Sequence, residues 1–236
     1  MKKYLLALLF IAGTTVLLAD PVTVTVKLTG SGNPTDIAYN LPGYPGGVYV
    51  GPYQLSINGG ASVDALCVDP LHESNVGNSW TANVSAVGGD ISKTYNATNT
   101  ATVLGYSLSS TYGYEIDAIL FDLIDGPSKS SLSDRITLQE AAWSVFDPTL
   151  FGSDTNTIQT NAFKIAENDG FSASSLGTFD FSNYQILTDV NGSKQEFLVG
   201  SAVPEPLSLG LMGFGLLGIA GVGLMRRRRK AASALA

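Results

Sequence analysis

Residues 207–225 carry no charge, and five cations follow them directly: Arg226, Arg227, Arg228, Arg229 and Lys230. A helix of nineteen residues is about 28 Å long, close to the hydrocarbon thickness of a bilayer. The cationic block holds its own end on the cytoplasmic side. The sequence therefore predicts a transmembrane helix over 207–225 and takes that segment out of any globular core. A second apolar run opens the chain. Lys2 and Lys3 precede the stretch from Tyr4 to Leu18, and Ala19-Asp20 offers a cleavage point. This predicts a signal peptide over 1–19, with an uncleaved anchor as the alternative. The folded domain must then lie within residues 20–200, long enough for one sizeable core.

Removing the ends changes the charge. Seven of the 13 Lys and Arg residues are terminal, so residues 20–202 hold 6 basic against 19 acidic side chains, a net −13. An exported part this acidic argues against nucleic acid as a partner. The chain has one Cys and one His. That excludes an intrachain disulfide framework, a multi-Cys zinc site and a multi-His metal site, and no cofactor is expected. His72 alone is left for a Ser-His-Asp arrangement.

The middle reads as strands with a helical insert. Val22, Val24, Val26 and Leu28 alternate with polar residues, as do Tyr53, Leu55 and Ile57, then Val63, Ala65 and Cys67 across Asn58-Gly59-Gly60. Trp80, Ala82, Val84 and Ala86 suggest a further strand. Residues 184–188 and 195–199 flank Asn191-Gly192, expected as a type I′ hairpin pair. Residues 41–47 form a turn-rich break. Ile116, Ile119, Leu120, Leu123 and Ile124 have helical spacing, as do Leu138, Ala141, Ala142, Val145 and Phe146. Thr137 and Glu140 predict a capping box for the second run, and Asp147-Pro148 its end. A third helix is expected over 157–168. The fold class is α+β: a β-rich, sandwich- or barrel-like exported domain with a small helical subdomain.

The tail has a more specific pattern. Val203-Pro204-Glu205-Pro206 precedes the Gly-rich span and the terminal Arg cluster. The two prolines keep a helix from continuing upstream and leave Glu205 extended. In order and position, residues 203–230 resemble the PEP-CTERM sorting signal. The resemblance implies a Gram-negative bacterium that makes extracellular polysaccharide, an inner-membrane-anchored precursor, and processing near Pro204-Glu205-Pro206 by exosortase. The mature protein would be at the cell surface or extracellular.

Two internal segments carry the chemical reading. Leu66-Cys67-Val68-Asp69 and Leu138-Gln139-Glu140-Ala141-Ala142-Trp143 resemble the two signatures of bacterial surface thioester domains. Leu138 stands where that family usually has Thr, and Ala142 where it has a larger aliphatic. The resemblance implies that the Cys67 sulfur condenses with the Gln139 carboxamide and releases ammonia. A thioester so formed is a strong acyl donor towards an amine or hydroxyl on a partner surface. Shelter among Leu66, Trp143 and Phe146 is expected to keep water out. With the helix beginning near Thr137, Gln139 is expected in its first turn, where free N–H groups stabilise an oxyanion.

Other constellations compete. The bland reading of Cys67 is a small buried hydrophobe on a strand. Cys67 with His72 has the residue types of a hydrolase dyad, without a third member. Asp117, Asp122 and Asp125 suit Ca²⁺ in type but not in spacing, and solvated helix charge is the simpler expectation. Three functions follow: a covalent adhesin, an inert surface protein associated with polysaccharide, or a secreted hydrolase using a carboxylate pair. The first two are not enzymes, and a non-enzyme is the expectation.

Overall fold

The computed structural model describes residues 22–31, 37–38, 47–125, 131–171 and 178–200. The expected signal peptide (1–19), the 203–206 motif, the 207–225 span and the 226–230 block lie outside these residues. Most of the 41–47 break does too. Among the described residues no helix is long and apolar enough to cross a membrane.

In chain order the elements are β1 (Thr23–Gly30), β2 (Ile37–Ala38), β3 (Val48–Tyr49), β4 (Tyr53–Ile57), β5 (Ser62–Cys67) and β6 (Ser79–Ala86). Then come β7 (Ala101–Val103), β8 (Tyr106–Leu108), α1 (Ser110–Asp125), α2 (Leu132–Phe146), α3 (Thr155–Asn168), β9 (Gln185–Asp189) and β10 (Phe197–Val199). Strands β1, β4, β5, β10, β9 and β6 close a barrel in that order. Every neighbouring pair is antiparallel. The three helices and the β7–β8 pair enter the chain between β6 and β9. The architecture is thus a sheet-rich barrel carrying a helical insertion.

Side-chain alternation explains the two cores. Val24, Val26 and Leu28 of β1 and Tyr53, Leu55 and Ile57 of β4 fill the barrel interior, while their neighbours face outward. Strands β9 and β10 are buried on both faces because helices cover part of their outer side. Leu187, Phe197 and Val199 point into the barrel, and Ile186 and Leu198 meet the helices. Strand β5 switches the same way: Ala65 and Cys67 are inside, while Leu66 and, just past the strand, Val68 are outside.

Local signals worked unevenly. Asn58 and Gly59 both have positive φ (51° and 72°), and Gly60 N–H donates to the Ile57 carbonyl at 2.9 Å. This is the expected type I′ geometry. The Asn191-Gly192 expectation fails, since of that pair only Gly192 has positive φ (66°). The Asp189 carboxylate organises this longer loop instead, accepting the N–H groups of Asn191, Ser193 and Lys194. The apolar stripes at 116–124 and 138–146 lie in α1 and α2. The expected capping box does not: α2 starts at Leu132, and the reciprocal cap joins Ser131 and Asp134. Thr137 is inside the helix, its hydroxyl donating to the Ser133 carbonyl.

Candidate functional site

Helix α2 is buried all round from Leu138 to Val145. Leu138, Ala141 and Ala142 join the core between barrel and helices, while Trp143 packs in the barrel interior. The helix therefore bridges both cores. Such burial obliges its polar side chains to find partners. Ser144 donates to the Ala141 carbonyl and accepts from Gln159.

Gln139 meets the same demand across the barrel. Its Nε2 donates to the Cys67 carbonyl at 2.7 Å, and its Oε1 accepts the Gly51 N–H at 3.2 Å. Both Gln139 and Cys67 are 0% exposed. Residues 72 apart in sequence thus become neighbours, and the carboxamide is held in one orientation from both ends. Gly51 was not foreseen from the sequence. A Cβ on it would lie 3.2 Å from Gln139 Oε1, so a glycine fits the close approach.

Two expectations about this site are corrected. Gln139 is the eighth residue of α2 rather than part of its first turn, because the helix starts at Leu132. The N–H facing its amide oxygen is that of Gly51, not one from the helix end. Of the three expected shielding residues, only Trp143 shares the barrel core with Cys67; Leu66 and Phe146 belong to the opposite core. Successive strand residues point to opposite faces, which puts Leu66 outside.

The Cys67 Sγ–H donates to the Asp69 carbonyl at 3.3 Å. Burial pushes the thiol up to about 12, and the Asp69 charge adds to the shift. Among the described residues the Trp143 indole N–H has no hydrogen bond of ordinary geometry, and its interaction with the sulfur acts the other way. At neutral pH the sulfur is therefore a protonated thiol held in an apolar, water-poor site.

The other candidates separate. His72 Nδ1 pairs with Asp69 Oδ2 at 2.5 Å, whereas the Cys67 proton goes to a backbone oxygen, so the two do not form a dyad. Asp122 and Asp125 are exposed as expected, with Asp122 accepting the Tyr184 hydroxyl. Asp117 departs from the solvated expectation: it is 0% exposed, and neither carboxylate oxygen has a hydrogen-bond partner among the described residues. Burial, then the nearby Glu196, holds it well above the usual carboxylate range. No group of three His, Cys, Asp or Glu among the described residues is placed to hold a metal. Sequence reading also missed Glu196, which is fully buried beside β5. It accepts from the Tyr114 and Thr188 hydroxyls at 2.5 Å each and from the Tyr95 N–H at 3.0 Å. Its own carbonyl accepts the N–H of Val68, next to Cys67.

No family model matches the chain, and no curated protein matches it. The chain is similar to several solved structures. One is the N-terminal thioester domain of a surface protein from Clostridium perfringens: TM-score 0.42, 11% identity, 77% of this chain and 99% of that one covered. Another is the N-terminal thioester domain of the fibronectin-binding protein SfbI from Streptococcus pyogenes: TM-score 0.42, 12% identity, 78% and 95% covered. A third is the N-terminal domain of the Streptococcus pyogenes pilus tip adhesin Cpa: TM-score 0.41, 14% identity, 79% and 97% covered.

Proposed function

We propose that this chain is an exported surface protein that attaches covalently to a partner through an internal thioester between Cys67 and Gln139. The observation that carries the reading is the Gln139 carboxamide fixed between the Cys67 carbonyl and the Gly51 N–H. In the forming step the sulfur adds to the amide carbon, the C–N bond breaks, and ammonia leaves with the thiol proton. The Gly51 N–H stabilises the oxygen as it gains charge. An amine or hydroxyl of the partner then attacks the carbonyl, forming an amide or ester and returning the thiol. Each molecule acts once and stays bonded to its target, so the chain is not an enzyme. Extracellular polysaccharide is a partner class for the hydroxyl route. Residues 203–230 are read as the sorting signal removed by exosortase on the outer face of the inner membrane.

One observation favours a second reading, an inert surface protein with a structural Cys67. Both ends of the Gln139 amide are already hydrogen-bonded without any covalent bond. Intact mass of the protein recovered from outside the cell decides. The thioester form is lighter than its sequence mass by one ammonia, about 17 Da, and Cys67→Ala abolishes the deficit. A wild-type mass without that deficit leaves the inert reading. Retention of residues 226–230 would overturn the processing.

A further inference from the structure

The helical insertion leaves a cavity of about 480 Å³ between α1, α2, α3 and the β7–β8 hairpin. Ligand cavities measure about 300–1,000 Å³. Leu120, Leu123, Ala141, Val145 and Ala162 form its buried wall. Gln159 is the buried polar residue of the lining, and both ends of its amide are engaged. Its Oε1 accepts the Leu104 N–H at 2.6 Å, and its Nε2 donates to the Thr102 carbonyl and the Ser144 hydroxyl at 3.0 Å each. The part of a ligand that enters therefore has to be hydrocarbon, since a polar group buried there would go without a partner. Leu104 (37% exposed), Phe163 (48%) and Tyr106 (74%) form the open rim. Leu104 has φ 50° and Gly105 φ 81°, a turn in which Asn or Gly is the low-cost first residue. An aliphatic side chain kept in the left-handed region at the lip of an apolar cavity is the kind of local strain that marks a binding site.

We propose that this cavity takes one acyl chain of a zwitterionic lipid from the bilayer in which the precursor is anchored. The proposal rests on the reading of residues 207–225 as a span and goes beyond the thioester. The point where the chain leaves the domain supports it. A Cβ on Gly200 would lie 2.8 Å from Cε1 of Phe121, whose neighbours Leu120 and Leu123 line the cavity. Residues 201–206 separate Gly200 from the span. Six residues reach about 20 Å at most, so the helical side of the domain stays close to the outer leaflet. Aromatic and aliphatic side chains exposed at the rim suit that interface. Charge selects the head. Glu167 is the one charged residue of the lining, and it is exposed one turn from Phe163. With residues 20–202 at a net −13, an anionic head is repelled. A net-neutral head that carries an ammonium group complements Glu167.

The test titrates dihexanoyl phosphatidylcholine, below its micelle concentration, into the protein recovered from outside the cell. Methyl resonances of Ile116, Leu120 and Ala162 are followed. Saturable shifts are expected, with dihexanoyl phosphatidylglycerol binding about fivefold more weakly. Ala166→Phe, which fills the cavity from α3, is expected to weaken binding about tenfold. Tyr106→Ser, at an exposed rim position, is expected to weaken it about threefold and keeps the test decisive if the first variant misfolds. Glu167→Gln should narrow the difference between the two lipids. In nanodiscs, a doxyl-labelled phosphatidylcholine should broaden the same methyls of the full chain. No saturable shift, equal binding of phosphatidylglycerol, unchanged affinity in a folded Ala166→Phe, or sharp methyls in nanodiscs would each overturn the site. Shifts that follow protein concentration alone would assign the face to a second copy and also overturn it. Retention of the full chain in carbonate-washed membranes reports the span separately. Loss of retention overturns the span and with it the bilayer as the lipid source, whereas retention without titration shifts overturns the cavity alone.

Discussion

The smallest determinant of the site is the backbone N–H of Gly51. It is the donor aimed at the Gln139 oxygen, and Gly51, just before β4, approaches that oxygen without a Cβ of its own in the way. Adding a Cβ at 3.2 Å from Oε1 and 3.5 Å from the Ala65 carbonyl must displace the amide by a few tenths of an ångström. Gly51→Ala is therefore expected to slow the proposed thioester formation about tenfold, read as the time course of ammonia loss after refolding. An unchanged rate would remove Gly51 from the mechanism. Cys67 and Gln139 were legible in the sequence because their types and neighbours form two recognisable segments. Gly51 and Glu196 were not, since each matters through a contact made only after distant strands are paired.

At the level of elements, α1 and α2 show what periodicity reads and what it does not. The apolar stripes were visible because helical spacing is local. The start of α2 was misread because two pairs fit the capping pattern, Ser131 with Asp134 and Thr137 with Glu140. Only the pair at the helix start, Ser131 just before it and Asp134 in its first turn, meets free N–H groups to cap. The contact between the two helices depends on Gly113, where a Cβ would lie 2.6 Å from Phe146 Cζ and 2.8 Å from Ala101 Cβ. Gly113→Ala is expected to lower stability by about 1–3 kcal/mol despite the better helix propensity of alanine. The urea midpoint should fall at constant slope. A raised midpoint would show that the helices separate freely at this point.

The whole molecule carries an unusual load of buried acid. Burial pushes Glu196 up to about 7 from its ordinary 4.5, although three donors partly oppose it. A raised folded-state value means that the native protein binds the extra proton. Its stabilising effect is fully present below 4.5 and is lost as pH rises through about 7. The full loss is about 3 kcal/mol. Asp117 and Glu140 are shifted in the same direction. Stability measured by urea unfolding should therefore decline from pH 5 to pH 8, and Glu196→Gln should flatten that decline. A curve that rises over this interval would contradict the assignment.

By itself the sequence determined the strand and helix faces, the acidic middle, and the presence of one thiol and one suitably flanked glutamine. These are properties of spacing and residue type, which act over a few positions. Only the tertiary structure decided that β9 pairs with β6 and β10 with β5 to close the barrel, that α2 bridges the barrel core and the core beneath the helices, and that Gln139 therefore stops between Cys67 and Gly51. Closure joins strands separated by the whole helical insertion, and no local period encodes which of them will meet.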